Sequence, residues 1–233
     1  MNQRYSYRDL GELTQAVRFW LGLGVVLAVV AIVSSVMVTN FLSSDVLTPA
    51  EAESHDSRQL VVTGLQLIVH LITVVFFARW IVRAHRNAWA FGGEKLRMTP
   101  GWAVGYFFLP LLNLWRPYQG MKDLWQASHN QASWSSLAAG AILPLWWLLW
   151  LLAGALQSLA GRALLRAEGV VDLMRATFLQ ISADGTAVLL GLAAMSLVKE
   201  IAAAQQSRRA RVLEERARAR QARLAEAGGG SAG

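Results

Sequence analysis

The sequence predicts an all-α integral membrane protein with four transmembrane helices, one interfacial or re-entrant apolar segment and a charged C-terminal helix. Hydrophobic residues make up 55% of the 233 residues and charged residues only 16%, against about 25% charged in an ordinary soluble domain. The charged residues cluster in a few segments, which leaves long uncharged runs between them. Runs of roughly 20 apolar residues are long enough for a tilted helix to cross a bilayer.

Four apolar runs reach this length, at about residues 19–39, 60–82, 137–157 and 177–198. We interpret the first as an uncleaved membrane helix and not as a signal peptide. Its run is too long for a signal core, the acidic Asp9 and Glu12 precede it, and no clean small-residue cleavage site follows. The predicted membrane domain is therefore 1–198, followed by a charged cytoplasmic helical tail with a flexible end at 199–233.

The distribution of basic residues predicts that both termini are cytoplasmic. With four crossings, 18 of the 22 Lys and Arg residues fall on the inner side, as the positive-inside rule favours. A fifth crossing would carry the basic tail to the outside. The abundance of Ala, Leu and Arg is typical of a bacterial protein, so the predicted location is the bacterial plasma (inner) membrane, as a multi-pass protein.

The stretch 100–119 is apolar but poorly suited to crossing. Its apolar part would reach roughly 20 Å as a helix, against about 30 Å of hydrocarbon. Pro110 interrupts it, and Asn113 places an amide near its end. The sequence leaves three positions open: at the interface, re-entrant, or packed inside the bundle. Tryptophans before, within and after the stretch favour the inner interface, where indole rings concentrate.

A set of polar side chains lies inside the predicted membrane helices. Gln66, His70 and Thr73 follow steps of four and three along the second span, so they share one face. Asp184, with Gln180 one turn earlier, lies at a similar predicted depth in the fourth span. We expect His70 to pair with Asp184, because an unpaired charge in hydrocarbon is expensive. Such a pair would be either a clasp that fixes helix packing or part of a proton or cation pathway.

A basic patch follows the inner end of the second span, at Arg79, Arg83 and Arg86, and Arg116 is a candidate extension of it. Steps of four and three place the first three arginines on one side of a helix. One interpretation is a site for anionic lipid headgroups or a phosphorylated ligand. The other is ordinary positive-inside anchoring, with the long side chains reaching the headgroups.

Distinctive sequence blocks fill the middle region. They are Trp80, Arg83, Arg86 and Asn87, then Pro100-Gly101-Trp102-Ala103-Val104-Gly105, then Asn113-Leu114-Trp115-Arg116-Pro117-Tyr118-Gln119, and then Trp125. These blocks resemble the bacterial membrane family catalogued as domain of unknown function 4328, although His85 stands where that family often has an aromatic residue. The resemblance implies a multi-span membrane module and no particular reaction. The motif residues that it points to are Asn87, Pro100, Gly101, Trp102, Gly105, Pro110, Asn113, Trp115, Arg116, Pro117 and Tyr118.

No catalytic motif accompanies these features. The chain has no H-E-x-x-H, G-x-S-x-G or P-loop pattern and no cysteine, and its four histidines lack metal-ligand spacing. We therefore expect no catalytic residue, metal or cofactor, and the glutamates among the tail's arginines disfavour nucleic-acid binding.

The predicted function is a non-enzymatic membrane module that scaffolds or senses. Its candidate partners are the lipid bilayer, anionic lipid, and a second copy or a membrane partner protein. The alternative is a small proton- or cation-coupled transporter or channel that uses His70 and Asp184.

Overall fold

The computed structural model describes residues 5–42, 49–91, 96–129 and 140–229, and the regular secondary structure in these ranges is helical. The helices are α1 (Gly11–Leu42), α2 (Pro49–Ala90), α3 (Trp102–Gly105), α4 (Arg116–His129), α5 (Ile142–Leu165) and α6 (Val170–Gly229), with 3₁₀ turns at Tyr106–Phe108 and Leu112–Leu114. Within these ranges α1, α2, α5 and α6 are long and apolar enough to cross a membrane. The all-helical class and the four long apolar helices are therefore confirmed.

The predicted spans fall on these four long helices, with one shift. The sequence places the third span at 137–157, but α5 begins at Ile142 and continues to Leu165, while residues 137–139 lie outside the described residues. The polar residue Ser158 does not end the helix, because its hydroxyl donates to the Gly154 carbonyl one turn earlier at 2.9 Å. The helix therefore continues past Ser158, although the sequence prediction ended the span at residue 157.

The long helix α6 is central to the packing. It lies along both α1 and α5, and α1 also lies along α2. The close approach of α1 and α6 depends on Gly191, because a Cβ atom at this position would come within 2.5 Å of the Val25 side chain. The shorter α4 packs against α2, α5 and α6 together, so it joins three long helices at one end of the bundle.

Apolar side chains are exposed along the middle of the long helices and buried at the end where α4 packs. Exposed examples are Val26, Val29 and Val33 on α1, Leu67, Ile68 and Leu71 on α2, Leu145, Leu148 and Leu152 on α5, and Leu189 and Leu192 on α6. The buried core includes Trp80, Ile81, Met121, Leu124, Leu143, Leu197 and Ile201. Helices that are apolar around much of their circumference need further apolar surroundings.

The stretch 100–119 folds as a series of short turns. The helix α3 has 4 residues and each 3₁₀ turn has 3, so no piece of the stretch is long enough to cross a membrane. Leu111 adopts a φ of 65°, and the Leu112 N–H donates to the Pro110 carbonyl at 2.8 Å, which closes a strained γ-turn. Trp102 and Phe108 remain 54% and 68% exposed.

The basic tail is not separate from the bundle. The predicted boundary at residue 198 falls inside α6, which continues without a break. Beyond it, Ile201, Gln205 and Arg208 are 0%, 0% and 6% exposed, and their steps of four and three continue the buried face of the helix. The packed unit therefore extends about three turns past the predicted boundary. Residues 230–233, in the end predicted to be flexible, lie outside the described residues.

Candidate functional site

A carboxylate is buried between the long helices at Asp184, which is 3% exposed. Gln66 on α2 donates from Nε2 to Asp184 Oδ1 at 3.1 Å, and Gln180 on α6 donates from Nε2 to Asp184 Oδ2 at 3.1 Å. Each carboxylate oxygen therefore has a neutral donor, which satisfies this buried group without a cation. We call these three residues the Asp184 cluster, and it links α2 to α6.

The expected partner of Asp184, His70, lies elsewhere. Its side chain is exposed on α2, and the Thr73 hydroxyl donates to a carbonyl of its own helix at 2.7 Å. The His70–Asp184 pair is not formed, and the glutamine amides of Gln66 and Gln180 donate to the two carboxylate oxygens instead. Of the polar set that the sequence singles out, the structure brings together Gln66, Gln180 and Asp184.

The predicted arginine patch forms one wall of a groove at the end of α2. The segment before α1 forms the other wall, and the groove has a volume of about 570 Å³. Its lining includes Arg79, Arg83 and Arg86 from α2, and Tyr5, Ser6 and Arg8 from the N-terminal segment. We call it the arginine groove. Arg8 is a fourth arginine here, and the sequence prediction did not single it out.

The arginine groove carries little compensating negative charge. Arg79 and Arg86 are exposed, and Arg83 donates from Nη1 to the Asp9 carbonyl at 3.5 Å. Within the described ranges, the ion pairs closer than 4.0 Å involve none of its four arginines. Several uncompensated guanidinium groups close together favour an anionic ligand.

Arg116, the predicted extension of the patch, does not line the arginine groove. Its guanidinium lies over the Tyr106 ring, 5.5 Å from the ring centroid, and Nη1 is 3.5 Å from Gln119 Oε1. The side chain therefore packs against the turns of the 100–119 stretch and against its own helix. Arg116 is the first residue of α4.

The N-terminal wall of the groove is held in place by Asn87. This residue is 0% exposed, and its amide donates to the Arg8 carbonyl at 2.8 Å and accepts from the Arg8 N–H at 2.9 Å. The two bonds reproduce the reciprocal pair that residues of adjacent antiparallel strands exchange. Asn87 also donates to Gln205 Oε1 at 3.0 Å. One motif residue therefore joins the N-terminal segment, α2 and α6.

Gln205 and Arg208 extend these contacts to α4. Gln205 Nε2 donates to a carbonyl of α2 at 3.0 Å and to Ser128 Oγ at 3.1 Å. Arg208 donates to the carbonyls of Ala127 and Phe91, the latter at 2.8 Å, and lies over the Phe91 ring. These carbonyls lie at the C-terminal ends of α4 and α2, where helical partners are lacking. We call Asn87, Ser128, Gln205 and Arg208 the inner-end network, because the sequence predicts that this end of the bundle faces the cytoplasm.

Two acidic residues complete the same end of the bundle. Glu200 accepts from Trp125 Nε1 at 2.8 Å and lies 3.6 Å from His129 Nε2. Asp123 is 2% exposed and lies 3.4 Å from Arg97 Nη2. Burial raises the pKa of Asp123 above its ordinary 3.8, and the positive charge of Arg97 partly offsets this rise.

The remaining motif residues surround the turns of the 100–119 stretch. Pro100 and Pro117 are buried, Gly101, Trp102, Pro110 and Trp115 are exposed, and Gly105, Asn113, Arg116 and Tyr118 are half-buried. A Cβ atom at Gly105 would lie 3.1 Å from the Trp102 ring, so this ring packs closely on a residue that has no side chain. The Tyr118 ring lies 6.2 Å from the Trp147 ring and connects the motif to α5.

Comparison with protein families matches residues 43–203 to the domain of unknown function DUF4328. The chain belongs to this family. The resemblance carried by the two motif blocks is therefore confirmed, and the DUF4328 match includes Asn87, the α2 wall of the arginine groove and the Asp184 cluster. Arg8, Gln205 and Arg208 lie outside the matched range. The comparisons with curated proteins and with solved structures gave no match.

Sequence reasoning missed the residues of this DUF4328 protein that depend on contacts between distant segments. They are Arg8, Ser128, Gln205 and Arg208. For Gln205 and Arg208 a signal was available, because they continue the helical spacing of the apolar Leu197 and Ile201. Arg8 has no local pattern that distinguishes it from other N-terminal residues.

Proposed function

We propose that the protein is a non-enzymatic, multi-pass module of the bacterial inner membrane that senses or scaffolds through its cytoplasmic end. The observation that supports it is the contrast along the bundle. Apolar side chains are exposed along the middle of the four long helices, whereas polar contacts concentrate where α4 packs. Lipid would cover the apolar surface, and the helices satisfy their own backbone groups.

In this proposal the arginine groove, α4 and the C-terminal part of α6 face the cytoplasm. The positive-inside rule supports this orientation, because the basic residues gather on these segments. The stretch 100–119 lies at the inner interface, supported by the exposed rings of Trp102, Phe108 and Trp115. The exposed residues 213–223 of α6 mix arginine with glutamate and lie beyond the packed unit. They form a candidate surface for a protein partner.

Single-cysteine labelling tests the orientation, because the chain has no cysteine of its own. Ala219 on the exposed part of α6 and Glu168 between α5 and α6 are both exposed. In intact cells a membrane-impermeant maleimide should label Glu168→Cys but not Ala219→Cys, and permeabilised cells should label both. Labelling of Ala219→Cys in intact cells would contradict the proposed topology.

Site-specific photo-crosslinking tests the scaffolding role. A photoreactive amino acid at Ala219 should give a discrete crosslinked product in cells, either with a second copy or with a partner protein. The same group at Glu168 is the matched control, because this position is equally exposed on the other side of the proposed membrane. Products of equal yield at both positions, or none at Ala219, would contradict a cytoplasmic contact surface.

Transport is a second candidate, and the Asp184 cluster is the observation that favours it. A buried carboxylate on a helix that crosses a membrane marks proton and cation pathways in many transporters. Here the candidate residues are Asp184, Gln66 and Gln180, with His70 exposed one turn after Gln66 on α2. Proton or sodium flux into proteoliposomes that contain the wild type, and its loss in Asp184→Asn, would support transport. Absence of flux with correctly oriented protein would decide for the scaffold.

A further inference from the structure

The arginine groove lies directly beside an exposed apolar face of α2. Leu71, Val75 and Arg79 follow steps of four, so they stack along one side of the helix. Leu71 and Val75 are 57% and 55% exposed. The apolar residues Ala78 and Val82 also line the groove, among the arginines. The surface therefore changes from apolar to strongly basic within two turns of one helix.

We propose that the arginine groove binds the phosphate headgroup of an anionic glycerophospholipid, with an acyl chain lying along Leu71 and Val75. The proposal rests on the membrane insertion proposed above. The headgroup occupies the space between the N-terminal segment and α2, where the groove volume is about 570 Å³. A free phosphate compound would use the arginines but would leave the apolar face of α2 uncovered.

The chemistry of the lining fits a phosphate. Guanidinium groups form paired, charge-assisted hydrogen bonds with phosphate oxygens. Arg79 and Arg86 are exposed, and the described residues give them no hydrogen bond or ion pair, so they are available to a ligand. Arg8 and Ser6 line the groove from the opposite wall. A headgroup held from both walls is recognised more selectively than one attracted to a flat basic surface.

Asn87 is a positioning residue for this site. Its amide fixes the backbone of Arg8 through two hydrogen bonds, of 2.8 and 2.9 Å. These bonds involve the Arg8 backbone, so the Arg8 side chain is left to reach the ligand. A substitution of Arg8 therefore tests the second wall without disturbing the contact that holds it.

The test uses the full chain purified in a neutral detergent and offered phosphatidylglycerol and phosphatidylcholine in equal amounts. Native mass spectrometry measures which lipid remains bound. The wild type should retain phosphatidylglycerol preferentially, and R79Q/R86Q should retain it at least about tenfold less, because two guanidinium groups that attract the anionic headgroup are lost. Arg8→Gln should give a smaller loss, of about fivefold.

The matched control is R220Q/R223Q, which removes the same charge from exposed positions on α6. It should retain phosphatidylglycerol like the wild type. Equal losses in R79Q/R86Q and R220Q/R223Q, or no loss in R79Q/R86Q, would overturn the proposal. Unchanged retention in Arg8→Gln would overturn the two-walled site.

Soluble glycerol 3-phosphate distinguishes the two sources of a phosphate group. At concentrations matching the lipid it should not displace phosphatidylglycerol. Displacement would overturn the lipid assignment in favour of a soluble phosphorylated ligand. The cysteine labelling described above separates failure of this proposal from failure of membrane insertion. Correct topology without lipid preference would reject only the lipid site. Wrong topology would reject the proposed membrane orientation on which the site rests.

Discussion

The middle and the inner end of the helix bundle differ in how many polar contacts join the helices. In the middle, apolar side chains are exposed and polar contacts between helices are few, with the Asp184 cluster joining α2 to α6. At the inner end, Asn87, Gln205 and Arg208 link the N-terminal segment, α2, α4 and α6 through buried and part-buried hydrogen bonds. The same two long helices, α2 and α6, take part in both arrangements.

The difference shows where this fold is specified. Hydrogen bonds between membrane helices contribute about 0.6 kcal/mol each on average, because the separated helices also find partners. At the inner end Asn87 satisfies part-buried backbone groups of Arg8 and the buried amide oxygen of Gln205, and this oxygen would be buried without a partner if Asn87 were lost. We therefore expect the arrangement of the helices to depend more on the inner-end network than on the Asp184 cluster.

The largest expected effect comes from Asn87→Ala. This substitution removes three hydrogen bonds, leaves the buried Gln205 Oε1 without its donor, and releases the part-buried backbone of Arg8. We expect the free energy of unfolding in detergent to fall by about 3 kcal/mol. Arg86→Ala, at the exposed position one residue earlier, is the control and should change it by less than about 0.5 kcal/mol. Similar losses in both variants would contradict the special role of the inner-end network.

The sequence predicted the two regions unequally. Hydrophobic run length was sufficient to find the four long helices. Helical spacing drew attention to Gln66 on the second span and to Gln180 one turn before Asp184, and both side chains contact Asp184 in the structure. Spacing alone did not show which neighbour covers a face, so it paired Asp184 with His70. In the structure the side-chain amide of Gln66 donates to the Asp184 carboxylate, and His70 is exposed.

The inner-end network was harder to predict for a different reason. Arg8 and Asn87 are 79 positions apart, and Asn87 and Gln205 are 118 apart, so no local pattern connects them. The charge of the tail also predicted a solvated helix beginning at residue 199. The buried positions Ile201, Gln205 and Arg208 continue the packed face of α6 into this charged segment. Helical spacing therefore predicts burial there better than composition does.

The next effect, in the middle of the bundle, comes from Asp184→Ala. It leaves the amides of Gln66 and Gln180 without their acceptor, and we expect a loss of about 1 kcal/mol in the free energy of unfolding. His70→Ala should change this energy by less than about 0.5 kcal/mol, because the side chain is exposed. Both are measured by tryptophan fluorescence during denaturation. A loss in His70→Ala as large as in Asp184→Ala would restore the pairing that the sequence predicts.

A smaller effect is expected in the pH dependence of the inner end. Because burial raises the pKa of Asp123 above 3.8 in the folded protein, the folded state holds this proton at pH values where the unfolded state has lost it. The contribution of Asp123 to stability is therefore greatest below pH 3.8 and falls as the pH rises through the folded pKa. Asp123→Asn removes this dependence.

The measurement is the difference in Tm between the wild type and Asp123→Asn, followed as the pH is raised from about 4 to about 7. Wild-type Tm should fall relative to the variant as the pH rises. An increase over the same range would mean that attraction to Arg97, 3.4 Å away, outweighs burial. The pKa of Asp123 would then be lowered, and the inner end would owe more to its ion pair than to its hydrogen bonds.

The smallest expected effect is at Leu111, in the stretch 100–119 between α2 and α4. Its φ of 65° is unfavourable for a residue with a side chain, and such strain costs about 1 to 3 kcal/mol. Leu111→Gly removes it but gives the unfolded chain more freedom, so we expect a net gain of about 0.5 kcal/mol. Leu111→Ala is the control, because it shortens the 71% exposed side chain as well but keeps the backbone strain. A gain in the glycine variant alone assigns the effect to the backbone and shows that this turn is held by its surroundings. Equal changes in both variants would instead assign it to the side chain, and the stretch 100–119 would then act mainly through its exposed apolar surface.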